Sequence, residues 1–287
     1  MRLIAWAWLV LLPLWGLAAR ADETDSVRVE TLLRAGACLP ADSSLVLHYA
    51  RHFVGVPYVA HTLEHADGQE SLVVNLRQMD CTTLVETVAA LTLATTHGTA
   101  RWHDFTHWLQ ALRYQGGVLD GYASRNHYFS QWIQSAQEQG LASEVTRGAD
   151  GGAFPFTATQ RLDLHYMSHH RSAYPALAAS DTVARLVARR ENETSGTSVR
   201  YIPARLTALG RSRLSCIENG DILALVTRKD GLDVSHVGLA VWGNDGLLHL
   251  LNASSIAHRV VLDSVPLYRY LERHPSSVGV RVIRLRR

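Results

Sequence analysis

The run Met79-Asp80-Cys81-Thr82-Thr83-Leu84-Val85-Glu86 places one cysteine directly after an aspartate, where a helical apolar pattern begins. Leu84, Val88 and Leu91 recur at helical spacing, and Val85 and Ala89 widen the stripe. Asp80 suits an N-cap, and Thr95-Thr96-His97-Gly98 suits a helix end. Cys81 then falls in the first turn, where unpaired backbone N–H groups and the helix dipole favour a thiolate. A thiolate attacks carbonyl carbon, so Cys81 is a candidate nucleophile. A solitary cysteine without this context reads instead as a small buried hydrophobe.

Such a nucleophile needs a base, and the base needs an orienting partner. The chain has 15 histidines, so a histidine alone says little. His236 stands out because it opens the apolar run His236-Val237-Gly238-Leu239-Ala240-Val241 at a polar-to-apolar boundary. A histidine at a strand edge can face a helix N-terminus packed on the same sheet. Gly238 would leave room for that helix to approach. The orienter should come from the next strand, where His249 and Asn252 both qualify. Three positions apart, they point to opposite faces of a regular strand, so only one can serve. The residues themselves leave the choice open.

The elements that must position these groups fall into two halves. Val27 to Leu33 and Ser43 to Phe53 carry helical periodicity, and Gly55-Val56-Pro57-Tyr58 breaks it. Leu72 to Leu76 reads as a short strand before the Cys81 helix. Helices are expected over Trp102 to Leu112, Tyr128 to Gln139 and Ser180 to Arg190. Loops are expected over Arg147 to Gly152 and, as a mobile surface segment, Glu191 to Ser198. The C-terminal third changes period. Asp221 to Thr227, His236 to Trp242, Leu247 to Leu251, Arg259 to Leu262 and Val278 to Leu285 read as strands. Gly243-Asn244-Asp245-Gly246 is a hairpin signal. Helices followed by strands predict an α+β fold, with an antiparallel meander and the helices packed on one side of it.

Arg2 followed by the apolar Leu3 to Ala18 and by Ala19-Arg20-Ala21 reads as a secretory signal peptide over residues 1–21. Residues 22–287 then form one domain in a periplasm or outside a cell. No cysteine follows the apolar run, which argues against a lipid anchor, and no stable membrane anchor is expected after cleavage. The net charge of +2 is near neutral and the basic residues are scattered, so no nucleic-acid partner is expected. Cys38 and Cys216 remain as a possible pair in an oxidising compartment, or as two buried thiols.

Five segments carry a resemblance: Gly55-Val56-Pro57-Tyr58, Asp80 to Glu86, Gly220-Asp221-Ile222-Leu223, Ser235-His236-Val237-Gly238-Leu239 and Asn252-Ala253-Ser254. In this order they resemble NlpC-type papain-like cysteine peptidases. More closely, the chain resembles the N-acetylmuramoyl-L-alanine amidase-like branch, as do Ser124-Arg125-Asn126-His127-Tyr128-Phe129 and Tyr201-Ile202-Pro203. The resemblance spans nearly all of residues 22–287. It implies a papain-like α+β fold and a site acting on peptidoglycan or muropeptides without a cofactor, Cys81 as nucleophile and His236 as base. It also implies Tyr58 as a hydroxyl near the oxyanion. The third position is usually a histidine in a His-Ala-Ser run, and here it is Asn252. An amide can orient the imidazole but carries no charge, which keeps His249 in play as an alternative orienter. For substrate contacts, Arg125 and Arg205 can grip a carboxylate with a planar fork, and His127 and Tyr128 can line a sugar or peptide cleft.

Three rival readings stand beside a muramoyl–alanine amidase. A zinc amidase would use His61-Thr62-Leu63-Glu64-His65 or the pair His165 and His169, but neither has an evident third ligand at useful spacing. A γ-D-glutamyl-diamino acid endopeptidase would use the same cysteine chemistry on a different bond. A catalytically inactive muropeptide binder would keep the fold with a dead site.

Overall fold

The computed structural model describes residues 24–40, 43–64, 69–145 and 154–286. The expected signal peptide and the Arg147 to Gly152 loop lie outside them. Five helices come first: α1 (Asp25–Ala37), α2 (Leu45–His52), α3 (Cys81–His97), α4 (Trp102–Arg113) and α5 (Phe129–Glu138). Strands β1 (Ala142–Glu144) and β2 (Ala158–Arg161) lead to α6 (Tyr166–His169), α7 (Pro175–Ala179) and α8 (Asp181–Thr194). Then follow β3 (Ser198–Pro203), β4 (Ile222–Thr227), β5 (Val234–Trp242), β6 (Leu248–Ser254), β7 (Arg259–Leu262), α9 (Leu267–Glu272) and β8 (Ser277–Leu285). The strands form one antiparallel sheet in the order β2-β3-β8-β4-β5-β6-β7, with β1 added on β8. The α+β class and the β4 to β7 meander are as expected from the pattern.

Alternation along the strands splits the core into two layers. Val237, Leu239, Val241, Leu251 and Ala253 face α3 and the helices around it. Ala240, Trp242, Leu248 and Leu250 face the other way, onto Leu267 and Leu271 of α9 and a 3-10 turn over Ala204–Ala208. The expectation of helices on one side only is therefore corrected. The meander is apolar on both faces, so both must be covered.

Helix α3 is buried from Thr83 to Ala94, on every side rather than along one stripe. Its threonines survive there because Thr92 and Thr95 donate to the carbonyls of Val88 and Leu91 four residues back. Glu86 survives by pairing with Arg113 of α4, Nε to Oε2 at 2.7 Å. Arg113 Nη1 also donates to the Val73 carbonyl, and Arg28 Nη1 to the Leu76 carbonyl. These side chains occupy carbonyls of Val73 and Leu76, and the Leu72 to Leu76 segment joins no sheet. The strand expected there is a correction. Replacing Arg113 alone, as Arg113→Met, leaves Glu86 buried and unpaired. We expect a loss of about 3–5 kcal/mol in urea unfolding, largely recovered in the double variant Glu86→Leu/Arg113→Met.

Glu191 to Thr194 is likewise not a mobile loop. It completes α8, and buried Glu191 accepts from the Tyr128 hydroxyl and from the N–H groups of Met167 and Ser168.

Candidate active site

The helix start is built by Asp80. Its carboxylate accepts from the Thr83 N–H at 2.8 Å, and the Thr83 hydroxyl accepts from the Asp80 N–H at 2.9 Å. The Leu84 N–H bonds the Asp80 carbonyl. Among the described residues, no acceptor takes the N–H groups of Cys81 and Thr82. A capping aspartate immediately before the cysteine thus leaves two backbone donors beside the sulfur, where an oxyanion would need them.

Two edges hold the loop that brings Tyr58 alongside. Gly55 N–H and the Val56 carbonyl pair with Val260 of β7, and the Tyr58 N–H donates to the His258 carbonyl. On the other side Met79 N–H donates to the Pro57 carbonyl and Val59 N–H to the Met79 carbonyl. Gly55 makes the turn at φ +93, which favours glycine. Tyr58 is half-buried. Burial first, then the charges of Cys81 and Asp80, push its hydroxyl above the ordinary tyrosine value.

His236 lies near the start of β5 and lines the same cleft as Cys81, whose charge acts on its ring. Its Nε2 is 2.9 Å from Asn252 Oδ1. The β5–β6 register pairs Leu239 with Leu251, so Asn252 shares the face of Gly238 and His236, one pleat away. A Cβ at Gly238 would stand 2.8 Å from the Leu251 carbonyl and 3.0 Å from Asn252 Cβ. The room that Gly238 provides is therefore taken by β6 and Asn252, not by the helix as expected. Burial opposes protonation of His236, but the Cys81 charge and hydrogen bond, the Asn252 hydrogen bond and the Asp263 charge outweigh it, and its pKa is raised.

Asn252 is fully buried and its Nδ2 donates to Asp263 Oδ2 at 2.8 Å. A carboxylate only accepts, so the amide must turn its oxygen to His236. His236 then carries a proton on Nε2, leaving Nδ1 for the sulfur. His249, the alternative orienter, lies on the opposite face. Its Nδ1 is 3.1 Å from the Asp263 carbonyl and its Nε2 3.1 Å from Asp245 Oδ2. It holds the chain behind Asp263 rather than His236, which corrects that alternative. Tyr270 of α9 stacks over His236, ring centroids 6.2 Å apart.

Asp263 and Tyr270 escaped the sequence reading. Asp263 follows a four-residue strand and Tyr270 sits in a six-residue helix, too short for periodicity to assign either a face. The register of the β6–β7 pair, Asn252 with Val261, is the signal that could have found Asp263, two residues further on that face.

Cys81 and His236 open onto a cleft lined also by Thr82, His127, Asp233 and Ser235. Asp233 stitches its walls, accepting from Ser130 N–H at the start of α5 and from Val234 N–H at the start of β5. His127 is the one expected substrate contact whose place in this cleft suits that role. Its Nε2 is 2.9 Å from the Tyr122 carbonyl, and its ring lies over Tyr122. Burial, then the nearby Arg125 charge, pushes its pKa down to about 3. It is a neutral ring whose Nε2–H is committed, so Nδ1 remains an acceptor.

The other expected substrate contacts are corrections. Arg125 is buried and its fork is already filled by Glu64 and Glu70. Tyr128 is buried, with its hydroxyl on Glu191. Arg205 is exposed on the Ala204–Ala208 turn and does not line the cleft. Residues of the Ser124 to Phe129 motif mainly hold helices together, as Asn126 does by bonding the Leu112 carbonyl and Arg190. The first proposed zinc motif is split, because Glu64 is paired with Arg125 and His65 lies outside the described residues. His165 faces Asp163 and Asp230, and no group of three metal-ligating side chains occurs among the described residues. Cys38 and Cys216 are free thiols, not a disulfide.

No curated protein matches the chain. Among solved structures, an N-acetylmuramoyl-L-alanine amidase from Bacteroides uniformis is similar at 38% identity and a TM-score of 0.76, covering 84% of this chain and 97% of its own. A Bacteroides fragilis protein provisionally named a xylanase is similar at 41% identity and a TM-score of 0.75, covering 82% and 99%. A Legionella pneumophila protein shares the fold at 22% identity and a TM-score of 0.65, covering 91% and 97%. The family model described as AmiA-like, N-acetylmuramoyl-L-alanine amidase-like, matches residues 48–280, which include Tyr58, Cys81, His236, Asn252 and Asp263, and the chain belongs to that family.

Proposed function

We propose that the protein is a cysteine amidase of the NlpC-type, papain-like kind, which cleaves the amide between N-acetylmuramic acid and L-alanine in peptidoglycan fragments. The observation that carries this reading is the cysteine at a capped helix start, facing an imidazole whose far nitrogen is held by a buried amide. Cys81 gives its proton to His236 Nδ1 and attacks the lactoyl carbonyl. The N–H groups of Cys81 and Thr82, with the Tyr58 hydroxyl, hold the oxyanion. His236 then protonates the leaving L-alanine nitrogen, and water hydrolyses the thioester. The side chains assigned to these steps are all from this chain, so the scheme calls on no metal or cofactor. The site of action is the periplasm or the exterior, reached through the signal sequence. Among the described residues no helix is long and apolar enough to cross a membrane.

A glycosidase reading, which the Bacteroides fragilis name suggests, requires a pair of carboxyl groups flanking the scissile bond. Asp233 is the only carboxylate among the described residues that line the cleft, and both its oxygens are taken by backbone N–H groups.

The test is mass spectrometry of defined muropeptides after incubation with wild type and with Cys81→Ala. Free stem peptide from wild type alone supports the amidase. Shorter peptides with the sugar still attached to L-alanine identify the endopeptidase instead. Retained binding with no turnover by wild type identifies a binder. In the same assay His127→Ala is expected to raise KM about tenfold with kcat nearly unchanged, the mark of lost ground-state binding. A fall in kcat without a KM change would remove His127 from the binding surface.

A further inference from the structure

We propose that Asp263 is a positioning residue that fixes the tautomer of His236 through the Asn252 amide. The proposal rests on the reading of Cys81 and His236 as nucleophile and base. An asparagine is an ambiguous orienter, because rotating its amide by half a turn exchanges an acceptor for a donor at little steric cost. With Oδ1 toward the ring, His236 keeps its proton on Nε2 and offers Nδ1 to the sulfur. With Nδ2 toward the ring, Nε2 becomes the acceptor and the proton moves to Nδ1, the nitrogen that must receive the sulfur's proton. The second arrangement has no working base.

Asp263 removes the ambiguity. Its Oδ2 lies 2.8 Å from Asn252 Nδ2, where a flipped amide would set two oxygens against each other. The amide is fully buried, so water cannot relieve that conflict. Asp263 is itself pinned on both sides of its backbone. Its N–H donates to the Leu250 carbonyl at 2.9 Å, and its carbonyl faces His249 Nδ1. The groups facing His236 are Cys81 from α3, Asn252 from β6, Asp263 after β7 and Tyr270 from α9. Burial, then the charges of Asp263 and Cys81, push the Tyr270 hydroxyl up to about 12, so it stays neutral beside the ring.

The test is nitrogen-15 NMR of histidine-labelled protein, above the titration of His236, together with the pH profile of iodoacetamide alkylation of Cys81. Wild type should show one tautomer with the proton on Nε2. Asp263→Ala should show a mixture, a shifted alkylation profile, and kcat lower by on the order of tenfold to a hundredfold. The double variant Asn252→Asp/Asp263→Ala should recover the single tautomer and most of the rate, since both carboxylate oxygens accept and no orientation is needed. If Asp263→Ala does not fold, comparing Asn252→Asp with Asn252→Asp/Asp263→Ala decides. Loss of the second carboxylate should there be harmless or favourable. A single Nε2 tautomer and an unchanged alkylation profile in Asp263→Ala would overturn the proposal, as would failure of the double variant to recover. Wild type that shows the expected tautomer and alkylation yet turns over no muropeptide would overturn the amidase reading and leave Asp263 its role.

Discussion

Cys81→Ala is expected to lower kcat for release of stem peptide on the order of a millionfold, to the rate left by binding and oxyanion donors alone. The size of the effect follows from the site. Among the described residues that line the cleft, Cys81 is the one thiol, and the hydroxyls of Thr82 and Ser235 would have to attack as neutral groups. Alanine has the better helix propensity and Asp80 still caps through Thr83, so α3 should keep its first turn. The variant should therefore unfold at the wild-type urea midpoint and bind muropeptide with unchanged affinity. Loss of turnover with retained binding is the signature. A variant that kept more than about a thousandth of the wild-type kcat would assign the chemistry to another group.

The helix of Cys81, the meander and the adjacent strands of His236 and its two candidate orienters, His249 and Asn252, were legible in the sequence, for a common physical reason. Each is set by local pattern: a cap before an apolar run, alternation along a strand, a Gly-Asn-Asp-Gly turn. What the sequence did not carry was the side chains' choice of partner. Arg125 reads as a free guanidinium, yet Glu64 and Glu70, about sixty residues away along the chain, fill its fork. Tyr128 reads as a cleft aromatic, yet Glu191 draws its hydroxyl into the core. The buried pair Glu86–Arg113 and the part-exposed pair Asp221–Arg284 belong to the same class, and each ties two segments whose contact only the fold creates. The residues of one motif need not serve one purpose. The Ser124 to Phe129 run supplies a cleft ring in His127 and structural anchors on either side. The strand expected at Leu72 to Leu76 failed for a related cause, since arginines from α1 and α4 took carbonyls that a neighbouring strand would have needed.

His236→Ala is expected to cost nearly as much as Cys81→Ala, and the double variant no more than either alone. Nucleophile and base act as one unit: sulfur without the imidazole lacks both its proton acceptor and the acid that frees the leaving amine. The pH profile makes the assignment specific. The Cys81 and Asp263 charges and the hydrogen bonds outweigh burial and hold the His236 proton above the ordinary histidine value, so the acid function is lost as pH rises through that raised value. The alkaline limb of kcat/KM should accordingly lie above the usual histidine range. Asn252→Ala removes one of the contacts that favour the proton and should move that limb downward, while His236→Ala should abolish it. Removing the ring also leaves Asn252 Oδ1 buried without its partner, at a cost of about 1–3 kcal/mol, which a urea midpoint measures separately from the rate. A pH limb that survived in His236→Ala would have to come from another group. Tyr270, stacked on the imidazole and influenced by both Asp263 and Cys81, is the side chain whose replacement would then identify it.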